Sequence, residues 1–189
     1  MKKLRNCVLA LLCPILNSYG QPSSNIQPLK AGDTLSEIEF AEMYRFPDST
    51  IRLSDFKDKL VILDYWATWC GSCVKTLPKM DSLQRKYSKR LQVLLVSRKG
   101  TGDDTAKVSK VLTKLNFKPA GNFSIPILLN DTFALRHYQL MVLPHYIWID
   151  KNRVIRGITD AEQVNSKNIE AILKGKPVVL KPKEDMAGR

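Results

Sequence analysis

The chain has 189 residues, 44% of them hydrophobic and 25% charged, which suits one folded domain and excludes an intrinsically disordered protein. Its formal net charge is +12, yet the lysines and arginines are scattered without an aromatic-interleaved basic patch, so nucleic acid is not an expected partner. The surplus reads as a solvated basic surface with weak attraction to acidic partners.

In chain order, Lys2, Lys3 and Arg5 precede an apolar run from Val8 to Leu16, and the small residues Ser18 and Gly20 precede Gln21. This is the layout of a secretory signal peptide over residues 1–20, with cleavage before Gln21. The run is too short to span a bilayer, and Pro14 interrupts it. Lipid attachment at Cys13 and an uncleaved anchor are the alternatives; Leu12 stands where the first would want a small residue. Removing 1–20 takes away Lys2, Lys3 and Arg5, leaves a charge of +9, and removes Cys7 and Cys13. The protein is therefore expected to be exported to the periplasm with Cys70 and Cys73 as its only cysteines.

Residues 21–33 are polar and proline-containing and read as a flexible lead-in. The domain is expected over 34–175. "EIEF" (37–40) and "STIRL" (49–53) alternate like a small hairpin, and "LVILDYW" (60–66) is a strand buried on both faces. Val74, Leu77, Met80, Leu83 and Tyr87 then recur at helical spacing, with Pro78 inside the helix. "LQVLLVS" (91–97) is the next strand. Val108, Val111, Leu112 and Leu115 mark a second helix, begun by the acidic pair Asp103 and Asp104. A strand at 124–129, a short capped helix in 130–140 and a hairpin of 145–150 with 153–158 follow. A last helix spans about 164–174, and 176–189 reads as an unstructured basic tail. The order predicts an α/β fold: a mixed central sheet between helical layers.

On that map, Cys70 lies where a buried strand gives way to a helix. A redox pair, two metal ligands and two buried small residues are the readings open to a lone C-x-x-C. A bridge across so short a loop constrains little chain entropy, so stability is not its purpose. The free N–H groups of a helix start favour a thiolate at Cys70, the species that attacks disulfides. Gly71 and Ser72 are small enough to let a partner disulfide approach, and Cys73, one turn on, is placed to resolve it.

"DYWATWCGSC", with Pro78 eight residues beyond Cys70 and Pro144 ahead of "HYIWID", resembles the thioredoxin fold family. The signal segment, the Trp69-Cys70 context and the insertion at about 98–123 resemble its exported TlpA/ResA-like branch, over roughly residues 31–175. The resemblance implies a three-layer thioredoxin-like fold with an N-terminal hairpin extension and an insertion. It implies a thiol–disulfide oxidoreductase, expected to act as a reductase of protein disulfides, with no cofactor beyond the Cys70–Cys73 disulfide. It implies a cis bond at Leu143–Pro144, where the backbone of Leu143 meets an extended substrate. Trp69, next to Cys70, is read as capping the site and offering apolar surface to partners. Asp64, six residues before Cys70, matches a buried acid that moves protons to and from the second cysteine. A membrane thiol–disulfide donor would recharge the protein, and a monomer is expected.

Trp66 is read as core, His137 as surface, and His145 as the first residue of a strand that could alternatively tune Cys70 or bind a metal. Ser72 stands where the family most often has proline, which favours a more oxidising pair; Leu143 is larger than usual before the late proline. The runner-up is a copper metallochaperone using Cys70, Cys73 and a histidine. Two residues between the cysteines, where such proteins have three, count against it, as does Pro144 beside the thiols. Peroxiredoxin chemistry is set aside, because Thr68 precedes Cys70 without the proline-containing loop it needs.

Overall fold

A computed structural model describes residues 28–44, 49–117, 123–137 and 142–183. The signal-peptide segment 1–20, most of the lead-in and the last six residues lie outside the described residues.

A two-stranded ribbon, β1 (Glu39–Phe40) and β2 (Ile51–Arg52), comes first, paired antiparallel and held by an Arg52–Glu39 ion pair of 2.9 Å. The main sheet has five strands in the order β5-β4-β3-β6-β7: β3 (Leu60–Tyr65), β4 (Leu91–Arg98), β5 (Ile127–Asp131), β6 (His145–Ile149) and β7 (Ile155–Thr159). β3, β4 and β5 run parallel, while β6 and β7 are antiparallel to their neighbours. Every residue of β3 is buried, as a central strand covered on both faces requires.

Helices α1 (Gly71–Lys86) and α2 (Thr105–Lys114) join β3 to β4 and β4 to β5. Both crossovers step the same way across the sheet, so a constant hand puts both helices on one face. There Leu77 and Met80 of α1, Val108 and Leu112 of α2 and Ile169 of α4 (Ser166–Leu173) pack on Leu60, Ile62, Leu95 and Trp148. The other face carries Val61, Leu63, Tyr65 and Ile147. Phe133 and Ala134 of α3 (Phe133–His137), with Leu35, Ile38, Phe40 and Leu53 from the N-terminal extension, cover it. The architecture is the predicted α/β/α sandwich on a mixed sheet.

Three boundaries differ from the sequence reading, each for a local reason. β5 begins at Ile127 rather than Ser124, because Pro126 has no N–H to donate and supplies only its carbonyl, to Leu95. β7 begins at Ile155 rather than Arg153. The Asp150 carboxylate accepts from the amides of Asn152 and Val154, and Arg153 sits at φ 63°, which lengthens the turn. The third concerns 176–183, read as part of an unstructured tail. This stretch has no helix or strand, but it is docked: Leu180 packs against the core on the α1 and α2 face of the sheet, and Lys183 is buried.

Candidate active site

Parallel β3 and β4 end on the same side of the sheet, and antiparallel β6 begins there, with Tyr65 opposite His145. Three loops therefore share one end: 66–70 after β3, 99–104 after β4, and 142–144 before β6. The sequence-predicted residues Trp69, Cys70, Gly71, Ser72, Leu143 and Pro144 all fall in or next to these loops.

Cys70 is the N-cap of α1, and its sulfur accepts from the Cys73 backbone N–H at 3.3 Å. The two cysteines form a disulfide with a Cα–Cα distance of 5.3 Å. Ser72 Oγ lies 3.5 Å from Cys70 Sγ; a disulfide sulfur carries no hydrogen, so the hydroxyl donates. Cys70 is 7% exposed and Cys73 1%, so the first cysteine is the more accessible of the two. Gly71 and Ser72 are exposed, and a Cβ at Gly71 would meet nothing within 4 Å. Trp69 is 66% exposed, with its indole N–H donating to Thr101 O at 2.9 Å. Trp66 is fully buried. The Leu143–Pro144 bond is cis, and both residues are half-buried.

Strand alternation puts Asp64 on the face of Ile62 and Trp66, the same face that carries Cys70, Cys73 and α1. It is 1% exposed, and neither carboxylate oxygen has a hydrogen-bond partner. Burial pushes its pKa up to about 8. Its cross-strand neighbour Tyr146 opposes that rise. Burial, and then the Asp64 charge, raise the Tyr146 phenol in turn.

Alternation puts His145 on the opposite face, where its ring meets Tyr65 edge-on at 6.3 Å. Burial first, and the Lys183 charge second, push its pKa down to about 3, so it stays neutral at ordinary pH. His137 packs against Phe133, also on that far face. Neither histidine joins the cysteines, so the ligand set imagined for copper is not assembled. Among the described residues no group of three or more His, Cys, Asp or Glu could hold a metal ion.

Asp103 was missed. The sequence reading gave it, with Asp104, to the start of α2; the structure divides the two. Asp104 caps α2, accepting from Lys107 N at 2.8 Å. Asp103 turns into the sheet end and accepts from Thr68 N at 3.1 Å, Thr68 Oγ1 at 2.5 Å and Ser97 Oγ at 2.6 Å. With the Trp69–Thr101 bond, this ties the cysteine loop to the loop after β4. The one available signal was an acidic pair where a single cap suffices.

A disulfide across the first turn of a helix, at the end of the central parallel strand of such a sandwich, defines the class of thioredoxin-like thiol–disulfide proteins. The chain belongs to the AhpC/TSA family, whose profile matches residues 32–158. It is 28% identical over 130 residues to the thioredoxin-like protein YneN of Bacillus subtilis, covering 65% of this chain and 73% of that protein. It is 30% identical over 127 residues to the thiol-disulfide oxidoreductase ResA of Geobacillus kaustophilus, covering 64% and 67%. Among solved structures, it superposes on the pneumococcal exposed lipoprotein thioredoxin of Streptococcus pneumoniae with a TM-score of 0.57 and 25% identity, covering 74% of this chain and 99% of that one. The thioredoxin domain of a thiol-disulfide oxidoreductase from Bacteroides vulgatus gives the same TM-score at 16% identity, covering 78% and 97%, a likeness of fold alone.

Proposed function

We propose that this protein is a thiol–disulfide oxidoreductase that reduces protein disulfides outside the cytoplasm. The observation that carries the reading is the Cys70–Cys73 disulfide on the N-terminus of α1, with an accessible first sulfur and a buried second. In the reduced protein, the helix N-terminus and the Ser72 hydroxyl stabilise a thiolate at Cys70. That thiolate attacks one sulfur of the partner disulfide; a mixed disulfide forms and the partner's other sulfur leaves as a thiolate. The ionised fraction of Asp64, whose pKa of about 8 lies close to that of a thiol, takes the proton of Cys73, whose thiolate attacks Cys70 Sγ and frees the partner's second sulfur. Two electrons pass to the partner, whose two thiolates take up the proton held by Asp64 and one from water, and the protein is left oxidised, the state of the structure.

Trp69, Gly71, Ser72, Leu143 and Pro144 form the surface a substrate chain meets, with Leu143 presenting its backbone to an extended segment. A thiol–disulfide donor at the membrane restores the dithiol, and the protein works as a monomer. The signal-like segment 1–20 and the exposed lipoprotein thioredoxin among similar structures support an extracytoplasmic site. Among the described residues no helix is long and apolar enough to cross a membrane.

The test is reduction of insulin disulfides by dithiothreitol with catalytic amounts of protein. We expect a rate well above dithiothreitol alone, abolished by Cys70→Ser. A rate equal to the uncatalysed background overturns the proposal.

A further inference from the structure

Lys183 belongs to a segment that composition alone marks as a solvated tail, yet it is 6% exposed. Its ammonium donates to the carbonyls of Val142 at 2.8 Å and Pro144 at 2.7 Å, and lies 3.8 Å from Asp160 Oδ1. Those two carbonyls flank Leu143. A lysine ammonium has three donors, and burying it without partners is costly, so this geometry ties the loop to the lysine and the lysine to the loop.

The approach to that clasp is also built. Lys183 N donates to Ile158 O at 3.0 Å, and Lys181 N to Gln163 Oε1 at 3.3 Å. Leu180 lies over Gly157 of β7: a Cβ there would stand 2.7 Å from Leu180 Cδ1, so the bare glycine makes the seat. The segment thus crosses the edge strand and ends on the loop before β6.

We propose that Lys183 is a positioning residue: residues 176–183 form a strap whose lysine holds the carbonyls on either side of Leu143, setting the loop backbone that an extended disulfide-bearing chain must meet. Ordering that loop in advance removes its ordering entropy from substrate binding, so the strap acts on affinity more than on bond exchange. This rests on the reading of 142–144 as a substrate surface.

Two variants of the full chain test it: Lys183→Met, which keeps the stem and removes the donors, and Leu180→Ala, which loosens the seat with the lysine intact. Backbone hydrogen exchange of the peptide spanning 142–146 is read first, because it needs no activity. We expect exchange there to quicken about tenfold or more in either folded variant, with β3 and β4 unchanged. Unchanged exchange overturns the proposal, even in a protein that reduces nothing. In the insulin assay we expect KM to rise several-fold with kcat nearly constant. A lysine that only stabilises the fold would lower kcat through an inactive fraction and leave KM alone, and that result also overturns it. An inactive wild type whose variants show the quickened exchange would instead count against the proposed function.

Discussion

Asp64→Asn is expected to make the oxidised protein more stable at neutral pH and, in the same stroke, a much slower reductant. Asp64 has no hydrogen-bond partner, and burial carries its pKa from an unfolded value of 3.8 to about 8. Between those values the folded chain holds a proton that the unfolded chain has released, so stability falls as pH rises through the interval and levels off above pH 8. At pH 7 the accumulated cost is about 4 kcal/mol, at about 1.36 kcal/mol per pH unit. Asparagine has nothing to ionise and avoids that cost. The two proteins should unfold at similar denaturant concentrations near pH 4 and separate as pH rises, with the variant ahead. The rate is expected to move the other way, because the base proposed for Cys73 is gone: a loss of roughly 100-fold, at the low end for general acid–base catalysis, is expected at pH 7. Equal stability across this range would show that Asp64 is not buried as a carboxylic acid. Greater stability with an unchanged rate would leave it buried but outside the proton path.

Cys70→Ser and Cys73→Ser should fail differently. Without Cys70 the accessible sulfur is missing, Cys73 is covered, and neither turnover nor a covalent complex is expected. Without Cys73 the first attack proceeds, but nothing resolves it, so the partner stays attached through Cys70. Incubating each reduced variant with a disulfide-bonded protein and running non-reducing gels should show a new band with Cys73→Ser alone, which dithiothreitol removes. Adducts of equal yield with both variants would contradict the division of roles that the 7% and 1% exposures imply.

The site's centre was legible because its signals are local. β3 announces itself as an apolar run, α1 by apolar residues every three or four positions, and the cysteines fall at the junction, where helix-start chemistry needs no tertiary information. Asp64 stood out as one acid in an apolar strand. What could not be read depends on partners far along the chain. Asp103 looks like Asp104 until the fold brings Thr68 and Ser97 to it across 35 and 6 residues. The side of the sheet His145 faces follows from its register with Tyr65, which neither strand shows alone. Lys183 sits in a stretch rich in lysine and proline, where burial is the last expectation. Only the carbonyls of a loop 39 and 41 residues earlier make it otherwise.

The proposed reaction requires Cys70 and Cys73 to be a reversible redox couple. Equilibrating the protein in glutathione buffers of defined ratio, quenching with a thiol alkylator and reading the mass shift tests it most directly. We expect one two-electron transition with both thiols titrating together, at or somewhat above the roughly −270 mV of thioredoxin, since Ser72 stands where the resembled family most often has proline. A pair that stays dithiol at every ratio and retains stoichiometric copper or zinc would contradict it.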